Sequence, residues 1–231
     1  MFYLDPIYFF FALPPLLLVL YAQFKVQSTY SKFLKTPNMT GITGAQAARR
    51  LLDASGLGYV GIDGTPGELS DHYDPSQKVL RLSSGVAYNA SVASLGIVAH
   101  EVGHAVQDQR AFLPMQVRTG LVPIVNLGTT LGYIFFLAGI FLQFTGLVWA
   151  GVGLFSLGFV FTVVTLPVEL NASSRALALL RNNGLVSTTE LAGARAVLDA
   201  AALTYVAAMA QALGNLLYYV FLALGMGRRN D

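Results

Sequence analysis

Four long apolar stretches constrain the fold of this chain more than any other feature. A membrane-crossing helix needs about 20 mostly apolar residues, and stretches of that length cover residues 6–24, 121–144, 147–167 and 203–226. The composition agrees, since 55% of the residues are hydrophobic and only 11% are charged, whereas about 25% are charged in soluble domains. The sequence therefore predicts a predominantly α-helical integral membrane protein with about four transmembrane helices.

The polar segments between the spans carry most of the Lys and Arg residues, and only Arg228 and Arg229 lie beyond the last span. Basic loops stay in the cytoplasm, which predicts a multi-pass cell-membrane protein with cytoplasmic polar segments and both termini outside. The predicted regions are a first transmembrane helix (1–24), a cytoplasmic region (25–118), a transmembrane hairpin (119–168), a cytoplasmic helix (169–202) and a last transmembrane helix with a tail (203–231).

The first polar region has its own secondary-structure signals. Thr43 and Gln46 have the spacing of a capping box that opens a helix continuing through Leu52. Residues 78–82 alternate like a short strand, either at a sheet edge or in the core. Residues 91–109 have apolar side chains at helical spacing. The sequence therefore predicts a small α+β region with a short sheet.

One motif in the predicted helix of residues 91–109 has the pattern of a zinc site. His100 and His104 are four residues apart, so both imidazoles project from one helix face and can bind one metal ion. Glu101 follows the first histidine and can accept a proton from a zinc-bound water, whose pKa falls to about 7. The pattern predicts Zn²⁺ as the cofactor and Glu101 as the general base.

A catalytic zinc usually has three protein ligands and one water. The chain has no cysteine, and no third histidine follows His104 at short range, so a carboxylate is expected. Glu169 is the best candidate, because two spans separate it from His104 and return the chain to the same membrane face. The alternatives left open are Asp108, His72, Asp71 and Asp74.

Several polar residues are candidates for supporting roles. Asp108 lies four residues after His104, where it can orient an imidazole, or it can simply be a solvated residue. His72 and Tyr73 lie in a polar turn and are candidate donors to the oxyanion of the reaction; the simpler reading is a surface turn. If strand 78–82 is a sheet edge, it can hold a substrate as an added strand.

Four stretches of the chain resemble a known family, the neutral zinc metallopeptidases of the YugP type, which are integral membrane proteins of bacteria. The matching stretches are 69–75 (LSDHYDP), 79–83 (VLRLS), 99–107 (AHEVGHAVQ) and 166–173 (LPVELNAS). The family is distantly similar to the HtpX-type and CAAX prenyl proteases. The resemblance implies a zincin-like catalytic region, zinc ligation by His100, His104 and Glu169, and Glu101 as general base. Ser173 stands where those distant relatives have Asp, so Asp108 or Asn171 is expected to take over the supporting role of that Asp.

The favoured hypothesis is a membrane-integral zinc metalloendopeptidase that acts on membrane-associated proteins or peptides. The alternative is a zinc-stabilised membrane adaptor without turnover, which a fourth protein ligand would favour. A transporter is least favoured, because no charged residue lies mid-span.

Expected partners are a protein or peptide substrate and membrane lipid. A net charge of +2 does not support nucleic-acid binding. Glycines in spans two and three permit close helix packing, either within the chain or in a homo-oligomer.

Overall fold

The computed structural model describes residues 6–230, with side chains through residue 226, so the side chains of Arg228 and Arg229 lie outside the description. Helices form most of it, and a small sheet lies between the second and third helices. The helices are α1 (Pro6–Leu34), α2 (Gly44–Ala54), α3 (Ser84–Ala87), α4 (Val92–Gln109), α5 (Leu113–Phe141), α6 (Thr145–Asn182) and α7 (Thr188–Asn230). The strands are β1 (Gly61–Thr65), β2 (His72–Asp74) and β3 (Val79–Ser83).

Four of the described helices, α1, α5, α6 and α7, are long and apolar enough to cross a membrane, as predicted. Three of them extend well past the apolar stretches that identified them. Helix α1 continues to Leu34, α6 continues to Asn182, and α7 already begins at Thr188. A helix need not end at the membrane surface, because its backbone hydrogen bonds are internal and remain satisfied in water.

The described chain divides into two compact units, and the first contains the apolar parts of the long helices. Helices α5 and α6 form a hairpin in which glycines bring the two backbones together. A Cβ added to Gly139 would lie 2.6 Å from the Val148 amide nitrogen, and one added to Gly151 would lie 2.8 Å from the Phe136 nitrogen. At these positions, therefore, the close packing that the glycines permit occurs within one chain.

The second unit comprises residues 23–115 and 167–203 and surrounds the nearly buried helix α4. Its three strands have the order β1-β3-β2, with β1 parallel and β2 antiparallel to β3. The predicted strand is therefore the central one, and the idea that it forms an edge is wrong. The two edge strands are β1 and β2, and the sequence identified neither of them as a strand.

Local signals explain where α2 and α4 begin. Thr43 Oγ1 accepts a hydrogen bond from the Gln46 amide, and Gln46 Oε1 accepts one from the Thr43 amide, so the predicted capping box is present. Ser91 caps α4 by accepting from the Ser94 amide. The apolar residues that predicted α4 are buried in the core of the unit, as their spacing requires.

Candidate metal centre

Three potential metal ligands converge where α4 packs against α6. The ligand atoms of His100, His104 and Glu169 all lie within 4.8 Å of one another. The Nε2 atoms of His100 and His104 are 3.1 Å apart. Glu169 Oε2 lies 3.2 Å from His100 Nε2 and 3.4 Å from His104 Nε2. These are the three residues that the sequence indicated as ligands.

A buried amide orients His104. Gln107, which is fully buried, donates through Nε2 to the Val168 carbonyl (2.8 Å) and to Asn171 Oδ1 (3.0 Å). Its Oε1 atom is therefore an acceptor, and His104 Nδ1 must donate the 2.9 Å hydrogen bond between them. With its proton on Nδ1, a neutral His104 presents the lone pair of Nε2 to the other two ligands.

A hydroxyl contacts the second imidazole in the same manner. Ser173 Oγ lies 3.2 Å from His100 Nδ1 and can accept its proton. Ser173, which the resemblance places where the distant relatives have Asp, therefore contacts His100 itself. The two substitutes expected from the sequence act elsewhere: Asn171 supports Gln107 instead of an imidazole, and Asp108 bonds to Tyr73 and Lys78.

The donor set fits a zinc ion. With both histidines protonated on Nδ1, two nitrogen lone pairs and one carboxylate oxygen face each other, and this arrangement is relieved by a bound cation or by an added proton. Burial alone would lower the pKa of His104, but hydrogen bonding to Glu169 and the charge of Glu101 raise it, so the pocket favours positive charge. Two imidazoles and one carboxylate are a common ligand set of catalytic zinc.

Glu101 lies beside this site, and its carboxylate is buried. Its Oε2 atom accepts a hydrogen bond of 3.0 Å from the backbone amide of Tyr73, which is on the edge strand β2. Burial raises the pKa of Glu101, although the neighbouring His100 and His104 act in the opposite direction. A carboxylate with a raised pKa binds a proton more strongly, which suits a general base.

Strand β2 is held against α4 by a second contact from Tyr73. The Tyr73 hydroxyl donates to Asp108 Oδ2 (2.6 Å), and Lys78 forms an ion pair with the same oxygen. One residue therefore connects the strand to α4 twice, through its backbone at Glu101 and through its side chain at Asp108. Because the hydroxyl already donates to Asp108, it is poorly suited to the predicted oxyanion role.

The other polar residues of the turn have separate partners. Asp71 accepts hydrogen bonds from the amide and hydroxyl of Ser83, and Asp74 accepts from Ser76 and Gln77. Neither carboxylate belongs to the three-ligand group in the described structure. His72 is exposed, and its Nδ1 donates to the Ser70 carbonyl at 2.8 Å.

Gln107 is the residue of the site that sequence reasoning missed. It lies three residues after His104, so the helical spacing that paired the two histidines also places it on the His104 face. An amide is rarely considered in a search for metal ligands, because it supports a ligand without binding the metal itself. A search for partners at i+3 of each histidine would have found it.

The chain is similar to known proteins over nearly its whole length. Residues 8–224 match the model of the family described as "Putative neutral zinc metallopeptidase". The chain is also 41% identical over 218 residues to the "Putative membrane protease YugP" of Bacillus subtilis (strain 168), which covers 94% of this chain and 97% of that protein. No solved structure matches it. The matched region includes every residue of the metal centre.

Proposed function

The chain belongs to the neutral zinc metallopeptidase family, and from that membership and its metal centre we propose that it is a membrane-integral zinc metalloendopeptidase. The observation that carries the proposal is the convergence of His100, His104 and Glu169 next to the buried carboxylate of Glu101. Its substrates are membrane-associated proteins or peptides that reach the site from the cytoplasmic side. This orientation rests on the distribution of basic residues in the polar segments.

The residues have complementary tasks in this reaction. His100, His104 and Glu169 would hold the zinc ion, which when bound acts as a Lewis acid and makes a coordinated water acidic near neutral pH. Glu101 accepts a proton from the attacking water and then transfers it to the nitrogen of the departing amine. The Tyr73 amide keeps the Glu101 carboxylate in position for both transfers.

The number of ligands favours an enzyme over a zinc-stabilised adaptor. Structural zinc sites have four protein ligands, whereas catalytic sites keep one position for water or substrate. Within residues 6–230 the group contains three ligand residues. The fourth coordination position would therefore be free for a water molecule.

Two variants test the assignment of roles. Glu101→Gln keeps the shape of the side chain but cannot accept a proton, so it should retain zinc and lose cleavage by about 100-fold or more. Glu169→Ala should instead lose zinc. The measurements are the metal content of the purified protein and the cleavage of labelled casein and of a fluorogenic peptide library. Cleavage by Glu101→Gln at the wild-type rate would refute the mechanism, and undiminished zinc in Glu169→Ala would remove the third ligand.

We propose that His72 stabilises the oxyanion by donating a hydrogen bond to it. Its Nδ1 donates to the Ser70 carbonyl, so a neutral His72 has only a lone pair at Nε2, and only the protonated ring can donate there. His72→Gln should lower kcat by about tenfold or more with little change in KM, because the donor acts on the transition state. An equal fall caused by Ser70→Ala, which keeps the ring and the carbonyl, would instead indicate a general effect on this turn.

A further inference from the structure

A polar cavity of about 380 Å³ lies among the ends of α2, α4 and α6 and includes none of the three metal ligands. Two arginines, Arg110 and Arg175, line it together with the neutral polar residues Ser55, Gln109 and Asn182. None of the lining residues is acidic. The cavity therefore combines two positive charges with neutral hydrogen-bonding groups.

The guanidinium of Arg175 is fixed from two sides. Its Nε donates to Asn171 Oδ1 at 2.7 Å, and its central carbon lies 5.9 Å from the centre of the Phe112 ring. Within the part of the chain that the structure describes, its terminal nitrogens have no hydrogen-bond partner. A guanidinium held in this way is prepared to bind an oxyanion, because little side-chain freedom remains to be lost.

Arg110 adds a second charge that no neighbour neutralises. Its side chain forms no hydrogen bond or ion pair with any residue in the described range, and its positive charge acts on Arg175. Its position as the C-cap of α4 is favoured by the helix dipole. The dipole does not account for Arg175, which lies inside α6.

We propose that this cavity binds a phosphate group between Arg110 and Arg175. The tetrahedral anion offers oxygens to both guanidiniums at once and removes the repulsion between them. The group can belong to a free phosphate ion or to the headgroup of an anionic phospholipid. The second source is supported by the sequence position of Arg110, just before the membrane-length helix α5, since basic pockets beside transmembrane helices bind such headgroups.

The test uses the full chain and two probes. Inorganic phosphate is titrated into the protein in a neutral detergent, and lipid binding is measured in nanodiscs of phosphatidylcholine with and without phosphatidylglycerol. Arg110→Gln and Arg175→Gln should weaken binding of the true ligand by about tenfold or more, because each removes a charged hydrogen-bonding partner. Arg181→Gln is the matched control, since Arg181 is an exposed arginine of the same helix α6 outside this cavity.

Each outcome decides the proposal. Saturable binding of free phosphate that is lost in Arg110→Gln supports a soluble ligand, and binding of phosphatidylglycerol alone with the same loss supports a headgroup. Absence of binding to both probes, or wild-type affinity in Arg110→Gln, would overturn the proposal. An equal loss in Arg181→Gln would also overturn it, since the effect would then reflect overall charge. Arg110 has no side-chain partner whose loss could unfold the variant, and the zinc content of Arg110→Gln checks that this variant is intact.

Discussion

Gln107 shows how one uncharged side chain can determine which nitrogen of a histidine is available to a metal. Its Nε2 atom is committed to the Val168 carbonyl and to Asn171, so its oxygen faces His104 Nδ1. A reversed amide would break both donor contacts and leave buried groups unpaired, at a cost of about 1–3 kcal/mol each. The network therefore prefers the tautomer of His104 that leaves Nε2 free for zinc.

Replacing this amide should weaken the metal site. Gln107→Leu keeps the approximate side-chain size but removes the acceptor for His104 Nδ1, and loss of such a partner typically lowers metal affinity by about 10–100-fold. Competition with a zinc chelator measures the affinity directly. Gln109→Leu is the control on the same helix, because Gln109 is exposed. Similar zinc affinities for the two variants would show that Gln107 does not support His104.

At the scale of secondary-structure elements, the site depends on the close approach of α4 and α6. Gly103 lies on α4 directly before His104, and a Cβ added to it would be 2.8 Å from the Ala172 carbonyl oxygen of α6. Real Cβ atoms essentially never approach backbone oxygen so closely. The glycine inside the histidine motif therefore lets α6 bring Glu169 within reach of both histidines.

Gly103→Ala should separate the two helices and reduce zinc binding. Alanine would gain up to about 1 kcal/mol of helix propensity, but overpacking of this kind costs about 1–3 kcal/mol. We expect a lower Tm with zinc present and a smaller rise in Tm on zinc addition. Gly96→Ala is the matched control, since its added Cβ would be 3.4 Å from Ala194, an ordinary contact. An undiminished response to zinc in Gly103→Ala would contradict the role of this contact.

The elements differed in how well the sequence predicted them. Helices α2 and α4 have both a cap and an apolar periodicity, and both were predicted close to their observed bounds. Strands β1 and β2 were missed because β1 is mostly exposed and β2 has only three residues, so neither has an apolar alternation long enough to recognise. Their strand conformation depends on pairing with β3, which is a contact between distant residues that local patterns do not record.

At the scale of the whole chain, zinc would connect two segments that the membrane hairpin separates in sequence. His100 and His104 precede α5, whereas Glu169 follows the apolar part of α6. Counting spans predicted that these residues lie on the same membrane face, and the structure brings their ligand atoms together. Span counting does not give the distances between the ligand atoms. Those distances depend on the close helix packing at Gly103 and on the contacts of Gln107 and Ser173 with the two imidazoles.

The same reasoning predicts which parts of the chain are accessible from each side of the membrane. The protein has no cysteine, so single cysteines introduced into it can be labelled without a background. Ser76→Cys, in the exposed turn between β2 and β3, should react with a membrane-impermeant maleimide only after the cells are permeabilised. Leu142→Cys, at the exposed tip between α5 and α6, should react in intact cells.

The placement of positive charge is the physical reason for this expectation. Lys and Arg near span ends are retained in the cytoplasm, and the polar segments before α5 and after the apolar part of α6 contain most of them. Residue 142 follows α5 in a turn without Lys or Arg, so it can cross the membrane. Labelling of Ser76→Cys but not of Leu142→Cys in intact cells would show that the orientation in the membrane is opposite to the predicted one. The metal centre and its substrates would then belong outside the cytoplasm, while the ligands and the general base would keep their roles.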